Sequence, residues 1–160
     1  MEYIKGEKTD QCILCALVAE GEDQTNLIVH RGDRCFVILN AFPYTNGHVM
    51  VAPYEHVARL DELHAAAAAE MMHLAQRSVR ALERAYGPEG YNVGANLGAV
   101  AGAGVEDHVH LHVVPRWKGD TNFMPVLGDV RVLPQRLEDS WRDLRAAWDT
   151  LDTEEDEEDA

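Results

Sequence analysis

Short apolar runs separated by turn-forming residues mark the first half of the chain. Residues 27–30 and 35–40 are rich in β-branched and aromatic side chains, and Gly32 and Asp33 lie between them, which predicts a β-hairpin. After a turn rich in breakers, HVMVAP predicts a third strand that ends at Pro53. The first half therefore favours an antiparallel sheet.

Longer periodicities predict the remaining elements. Residues 61–86 carry apolar side chains at three- or four-residue spacing, which predicts one long helix that ends at Gly87. Strands are predicted at residues 91–96 and 108–115, the second because polar and apolar residues alternate strictly there. Residues 12–20 predict a short helix, and a final amphipathic helix follows from the spacing of Leu137, Trp141, Leu144 and Trp148.

The composition indicates a globular protein with one packed core. The chain has 160 residues, of which 46% are hydrophobic and 26% charged. Its net charge of −14 argues against a non-specific nucleic-acid binder or a binder of anionic membranes, because both surfaces repel an acidic protein. Neither a membrane-length apolar run nor the apolar core of a signal peptide is present, so we expect a cytoplasmic protein.

The acidic residues are concentrated at the C-terminus. From Asp149 the chain reads DTLDTEEDEEDA, without a single basic residue. A block of like charges is typical of a disordered, solvated segment. We therefore predict a single domain over residues 1–150 and a disordered acidic tail over residues 151–160.

Three histidines alternate with apolar residues at the predicted strand of residues 108–115. In a strand, His108, His110 and His112 would share one face and lie about 7 Å apart, so one phosphate group can touch two of them. Imidazole acts as a nucleophile, proton carrier or metal ligand near neutral pH, and backbone amides of the glycine-rich segment just before it can bind phosphate oxygens. The pattern favours a histidine nucleophile that attacks phosphorus and forms a phosphoramidate.

The segment HVHLHVVPRW resembles the motif of the histidine triad (HIT) family. The resemblance includes CILC, LNAFPYTNGHVMVAPYEH and NLGAVAGAGVEDHVHLHVVPRWKGDTNFMP, and it points to a bacterial branch that contains diadenosine tetraphosphate phosphorylases. It implies an α+β fold, with an antiparallel sheet of about five strands, one long helix and a C-terminal helix. It also implies a homodimer.

The resemblance assigns roles to individual residues. His110 corresponds to the family nucleophile, which implies a nucleotidyl-histidine intermediate, and His112 to the histidine that contacts the phosphate and its bridging oxygen. Asn40 corresponds to the residue that holds the ribose hydroxyls, and Asn96 to an asparagine that binds phosphate. For both asparagines, a plain turn residue is the alternative interpretation.

One departure from the family pattern lies just before the triad. Many members place Gly-Gln-Ser or Gly-Gln-Thr where this chain has Ala103, Gly104 and Val105, so the hydroxyl that helps to bind phosphate is missing. We expect backbone amides around Gly102 and Gly104 to replace it. Trp117, directly after the triad strand, either stacks on the base or packs in the protein.

Cys12 and Cys15 form a CxxC pair, and the odd total of three cysteines does not resemble a disulfide framework. The pair alone leaves zinc binding and redox chemistry open. The resemblance to zinc-containing members implies that His56 and His108 complete a structural zinc site. For His48, an active-site role is the less favoured of two interpretations.

These observations favour a nucleotidyl transferase or hydrolase that acts on dinucleoside polyphosphates. The branch resemblance favours phosphorolysis of diadenosine tetraphosphate to ATP and ADP. Two alternatives stay open: a hydrolase of adenosine phosphoramidates or adenylylated metabolites, and a nucleotide-binding regulatory protein.

Overall fold

A computed structural model describes residues 11–120 and 135–158. Two short 3-10 turns, Leu60–Glu62 and Ala99–Ala101, accompany the main elements. In chain order these are α1 (Ile13–Ala19), β1 (Ile28–Arg31), β2 (Cys35–Leu39), β3 (Val49–Pro53), α2 (Ala65–Tyr86), β4 (Gly90–Gly94), β5 (Leu111–Arg116) and α3 (Leu137–Glu158).

The strands form one antiparallel sheet in the order β1-β2-β3-β5-β4. This architecture confirms the predicted α+β fold with five strands, one long helix and a C-terminal helix. On β5, His112 pairs with Met50 of β3 on one side and with Gly94 of β4 on the other. The last triad histidine therefore lies inside the sheet and not at its edge.

Each sheet face carries its own apolar cluster. Helices α2 and α3 cover one face, and Val37, Val51 and Val113 are fully buried beneath them. A smaller cluster on the other face contains Leu14, Ile28, Phe36, Ile38 and Ala52. Met50 packs against the smaller cluster, and directly paired strand residues share a face, so His112 lies on the face opposite α2 and α3.

Both ends of α2 have clear local causes. His64 caps the N-terminus by accepting a hydrogen bond from the Ala66 amide at 3.2 Å. Gly87 ends the helix in the left-handed conformation, at a φ of 54°, where glycine has no steric penalty. The predicted start at residue 61 is wrong by one turn, because a separate 3-10 turn occupies Leu60–Glu62.

Helix α3 covers the exposed edge of the sheet at β1. The Trp141 indole donates to the Ile28 carbonyl at 2.8 Å, and Arg145 donates to the Val29 carbonyl at 2.7 Å. These bonds satisfy edge carbonyls that have no neighbouring strand. The predicted amphipathic helix is confirmed, with Trp148 almost completely buried.

The prediction of a disordered segment from residue 151 needs correction, because α3 continues to Glu158. Leu151 is 6% exposed and extends the apolar stripe of the helix onto the core. Asp152 forms an ion pair with Arg77 of α2, and Glu154 forms one with Arg84 at 2.8 Å. Two arginines of α2 thus neutralise two of these acids. The prediction of disorder rested on repulsion among the acids and did not include these partners.

All three cysteines carry free thiols, and Cys35 is buried in the core.

Neither long helix within residues 11–120 and 135–158 has an apolar stretch sufficient to cross a bilayer.

Candidate active site and metal centre

The triad histidines do not share one strand as predicted. Regular pairing of β5 begins only at Leu111, and His108 and His110 precede it. The reason is a different partner: the Val109 amide donates to the Val57 carbonyl at 2.7 Å, in the segment that follows β3. His108 and His110 are 1% and 4% exposed, respectively.

A backbone hydrogen bond orients the His110 ring. Its Nδ1 lies 2.9 Å from the carbonyl oxygen of His108, so Nδ1 carries the proton and donates it. In a neutral imidazole the other nitrogen, Nε2, then keeps its lone pair. The arrangement thus leaves Nε2 of a neutral His110 ring without the proton, and the ring centroid lies 4.8 Å from that of His112.

His48 determines which nitrogen of His112 carries the proton. The Tyr44 amide donates to His48 Nδ1 at 3.1 Å, so the His48 proton lies on Nε2. This Nε2 lies 3.0 Å from His112 Nδ1 and donates to it, which leaves the His112 proton on its own Nε2. His48 is completely buried, directly before β3. An active-site role was the less favoured interpretation of this residue from its sequence position after Gly47.

Burial also keeps His112 uncharged. Desolvation, with a smaller contribution from the neighbouring His110, lowers the pKa of His112 to about 4. Near neutral pH the ring is therefore a neutral hydrogen-bond donor through Nε2.

A cavity of about 520 Å³ opens beside His112 on the same sheet face. Residues of β4 and β5 form most of its wall, together with Tyr44 and Thr45 from the loop before β3. Asn96 and His112 are the predicted nucleotide-binding residues that line it. The structure thus joins the last triad histidine to a space large enough for part of a nucleotide.

The glycine-rich loop lies next to this cavity. The Asn96 side chain donates to the Gly102 carbonyl at 3.4 Å, and Gly102 has a φ of 86°, which side chains rarely adopt. Gly104 is exposed in the following bend. Val105, where many relatives have the hydroxyl residue, packs against the smaller apolar cluster instead.

Two other predicted nucleotide-binding residues do not line the cavity. Asn40 follows β2, accepts from the Phe42 amide at 2.9 Å and places its amide nitrogen 3.4 Å from His48 Nδ1. These contacts hold the Asn40 side chain at the turn after β2, next to His48. Trp117 is half-buried after β5 and donates its backbone amide to Asp120.

The structure brings the four predicted metal ligands together. The Cys12 and Cys15 sulfurs lie 3.3 and 3.4 Å from His108 Nδ1, and the Cys15 sulfur lies 3.4 Å from His56 Nδ1. All four ligand atoms lie within 4.8 Å of one another. A tetrahedral zinc ion with ordinary bond lengths requires sulfur–nitrogen separations of about 3.6 Å, so the four residues can hold such an ion.

The second nitrogens of the two histidine ligands are also engaged. His108 Nε2 donates to the Pro53 carbonyl at 2.8 Å, and His56 Nε2 lies 3.7 Å from an Asp107 carboxylate oxygen. Such outer contacts leave Nδ1 of each ring for a metal. Burial and the neighbouring Cys12 raise the pKa of Cys15, a cost that a bound cation offsets by stabilising thiolates.

Comparison with known proteins places this geometry in context. The family model described as the HIT domain matches residues 20–119. AP-4-A phosphorylase of Mycobacterium tuberculosis is 43% identical over 126 residues, which cover 79% of this chain and 65% of that protein. The chain thus spans less than two thirds of the length of this relative.

Two further similar proteins are a curated sequence relative and a solved structure. Adenosine 5'-monophosphoramidase of Schizosaccharomyces pombe is 35% identical over 105 residues, covering 66% of this chain and 74% of that protein. The crystal structure of a zinc-bound histidine triad family protein from Mycobacterium smegmatis superposes with a TM-score of 0.74 at 34% identity. It covers 90% of this chain and 97% of the other chain.

The matched region contains the sheet, helix α2 and the histidines of the candidate site. Residues 20–119 include the whole sheet, helix α2 and the histidines at positions 48, 56, 108, 110 and 112. The match extends over more than half of the chain, and the fold agrees with that of the solved relative. The chain belongs to the HIT domain family.

Proposed function

We propose that the protein is a nucleotidyl transferase or hydrolase of dinucleoside polyphosphates, with phosphorolysis of diadenosine tetraphosphate favoured. The observation that carries this proposal is the His110 Nε2 lone pair, freed by the hydrogen bond from Nδ1 to the His108 carbonyl, beside the neutral donor His112. The 43% identity to the M. tuberculosis protein named AP-4-A phosphorylase supports the phosphorolytic outcome.

The reaction proceeds in two displacements at one phosphorus atom. The His110 Nε2 lone pair forms a bond to the α-phosphorus, and the bond from phosphorus to the bridging oxygen breaks, so that ATP leaves with the electron pair. An oxygen of inorganic phosphate then attacks the same phosphorus, the phosphorus–nitrogen bond breaks, and ADP is released. The electron pair returns to His110, which restores the free imidazole.

A neutral His112 fits both displacements. Its Nε2–H group donates a hydrogen bond to the phosphate or bridging oxygen, where negative charge develops. The His110 ring carries positive charge while it holds the nucleotide, and a second cation at a centroid distance of 4.8 Å would repel it. The low pKa of His112 therefore avoids this repulsion and keeps the donor.

The remaining contacts follow the family roles. Asn40 holds the ribose hydroxyls, while Asn96 and the amides around Gly102 and Gly104 hold phosphate oxygens. Trp117 stacks on the base. The protein works as a homodimer, as the family resemblance implies.

Zinc is the proposed metal of the Cys12, Cys15, His56 and His108 centre. With four protein ligands it has no open position for substrate, so when bound it supplies a structural cross-link. The cross-link ties α1 to the segment that positions His110, two residues after His108.

Product analysis tests the proposed reaction. Purified protein is incubated with diadenosine tetraphosphate, with and without inorganic phosphate, and the adenine nucleotides are resolved. We expect equal amounts of ATP and ADP that depend on phosphate. We expect His110→Ala to lose at least about a thousandfold in turnover, as nucleophile removal does, and exposed His73→Ala to retain it. Undiminished turnover by His110→Ala would contradict the nucleophile.

A second candidate reaction keeps the nucleophile and changes the partners. The identity to the S. pombe monophosphoramidase favours hydrolysis of adenosine 5'-phosphoramidate, in which water takes the place of phosphate. AMP formation from this substrate, faster than phosphorolysis of diadenosine tetraphosphate, would favour the second candidate.

A further inference from the structure

The cavity beside His112 is an elongated groove along two strands. His112, Val114 and Arg116 alternate on β5 and therefore share a face, and Gly94 and Asn92 of β4 pair directly with His112 and Val114. At about 3.3 Å per residue, His112 and Arg116 lie about 13 Å apart along the strand. This length exceeds that of one phosphate group several times.

The chemistry changes from one end of the groove to the other. Near His112 the groove presents the imidazole and the Asn96 amide, which are donors to phosphate. At the far end, Arg116 is bound by both oxygens of Asp120, and it donates to the Asn92 side-chain oxygen at 2.7 Å. The carboxylate compensates the arginine charge, so this end offers hydrogen bonds instead of a net positive charge.

The groove and the predicted ribose site lie on different sides of His112. Asn40 follows β2, whereas the groove lies on β5 and β4, and the sheet order places β3 between β2 and β5. The His112 ring lies beside the His110 ring, at a centroid distance of 4.8 Å, and marks the near end of the groove. A nucleotidyl group held at Asn40 and His110 therefore leaves the groove open to the rest of the polyphosphate.

We propose that this groove is the subsite for the leaving half of a dinucleoside polyphosphate, an inference that rests on the proposed function. The phosphates of the leaving half lie at His112 and Asn96. Its nucleoside lies over Val114, with the uncharged polar edge of the base or ribose against Asn92 and the Arg116–Asp120 pair.

A side chain added at Gly94 tests the groove directly. A Cβ there meets no atom within 4 Å, and because Gly94 pairs with His112 the new side chain projects into the groove. Met72 is exposed on α2, which covers the other face of the sheet, so Met72→Val is the control for Gly94→Val. Circular dichroism and unfolding curves confirm that both variants fold.

Two substrates with the same adenylyl half and different leaving groups separate the outcomes. We expect Gly94→Val to lower kcat/KM for diadenosine tetraphosphate by about tenfold or more. For adenosine 5'-phosphoramidate, which releases only ammonia, we expect a change of less than about twofold, and Met72→Val should affect neither substrate. An equal loss on both substrates, or no loss, overturns the inference.

The nucleoside end has its own test. Asn92→Ala should lower kcat/KM for diadenosine tetraphosphate by about tenfold, but not for adenosine 5'-tetraphosphate, whose leaving group lacks the second nucleoside. Equal effects on these two substrates would contradict the assignment of the far end.

A failure of the proposed function is recognised separately. If the wild-type protein converts none of these substrates, the proposed function is wrong, and calorimetric binding of ATP then judges the groove. ATP binding that Gly94→Val weakens about tenfold, and Met72→Val does not, supports a nucleotide subsite. Unchanged ATP binding overturns it.

Discussion

Single backbone hydrogen bonds decide which histidine nitrogens are available for chemistry. Carbonyl oxygens accept the ring protons of His108 and His110, which leaves the opposite nitrogens for a metal and for phosphorus, respectively. The hydrogen bond from the Tyr44 amide determines which nitrogen of His48 carries the proton and, through His48, which nitrogen of His112 does. The same residue type therefore offers nitrogens suited to a metal ligand, a nucleophile and a neutral donor within one site.

We predict that His48 is a positioning residue that acts through His112. A glutamine side chain in its place can accept from the Tyr44 amide and donate to His112, whereas a leucine side chain of similar size can do neither. We expect His48→Leu to lower kcat by about 10–100-fold and His48→Gln to recover most of the loss. If both variants lose kcat equally while their stabilities match, His48 only fills space.

The half-buried, neutral state of His112 predicts a pH dependence of stability. Its folded-state pKa of about 4 lies below the ordinary value of 6.5, so the unfolded chain takes up a proton as the pH falls through this window and the folded chain does not. His112 therefore lowers the free energy of unfolding progressively from about pH 6.5 towards pH 4.

Urea unfolding of the wild type and His112→Gln at about pH 7 and pH 5 measures this effect. The variant should lose less stability than the wild type over this interval, since it lacks the group. Contributions from histidines that do not contact His112 cancel in the comparison. Identical losses would show that His112 titrates normally in the folded protein.

At the scale of elements, α3 is an integral layer of the fold. It closes the β1 edge with Trp141 and Arg145 and packs along α2. Its final described contacts are the ion pairs of Asp152 with Arg77 and of Glu154 with Arg84. Arg77 is only 8% exposed, and half-exposed Asp152 compensates this buried guanidinium from the edge of the helix pair.

We predict that deleting residues 152–160 destabilises the protein. The deletion takes Asp152 from the buried Arg77 guanidinium, and we expect the free energy of unfolding to fall by about 1–3 kcal/mol. Deleting residues 155–160 keeps both ion pairs and should change it by less than about 0.5 kcal/mol. Equal stability of the two truncated proteins would refute the structural role of this segment.

Across the whole molecule, the group of Cys12, Cys15, His56 and His108 brings together parts that are distant in the sequence. Cys12 directly precedes α1 and Cys15 lies in it, whereas His108 lies 96 residues after Cys12. The net charge of −14 acts over a longer range and opposes encounter with a polyanion, whereas His112 and Asn96 offer local hydrogen-bond donors in the cavity.

We predict about one zinc ion per chain, measured by mass spectrometry of the purified protein. Cys15→Ser should lose the metal and lower the Tm, because metal binding contributes to folding free energy. Cys35→Ala, which removes a buried thiol outside the centre, should keep full zinc content. A zinc-free wild-type protein with an unchanged Tm in chelator would exclude a structural zinc site.

The sequence by itself determined the features that depend on local patterns. Helical spacing identified α2 and α3, alternation and turn residues identified the strands, and CxxC with the triad motif marked the chemistry. These signals are readable because side chains a few residues apart share a face or a turn.

Only the tertiary structure decided the features that depend on distant partners. His48 and His112 meet across 64 residues, and Arg77 and Asp152 across 75, which gives His48 its role and makes the acidic segment helical. The groove likewise exists only where β4 lies beside β5. Proton positions, charge compensation and cavities arise from contacts between separate elements, and no local pattern encodes such contacts.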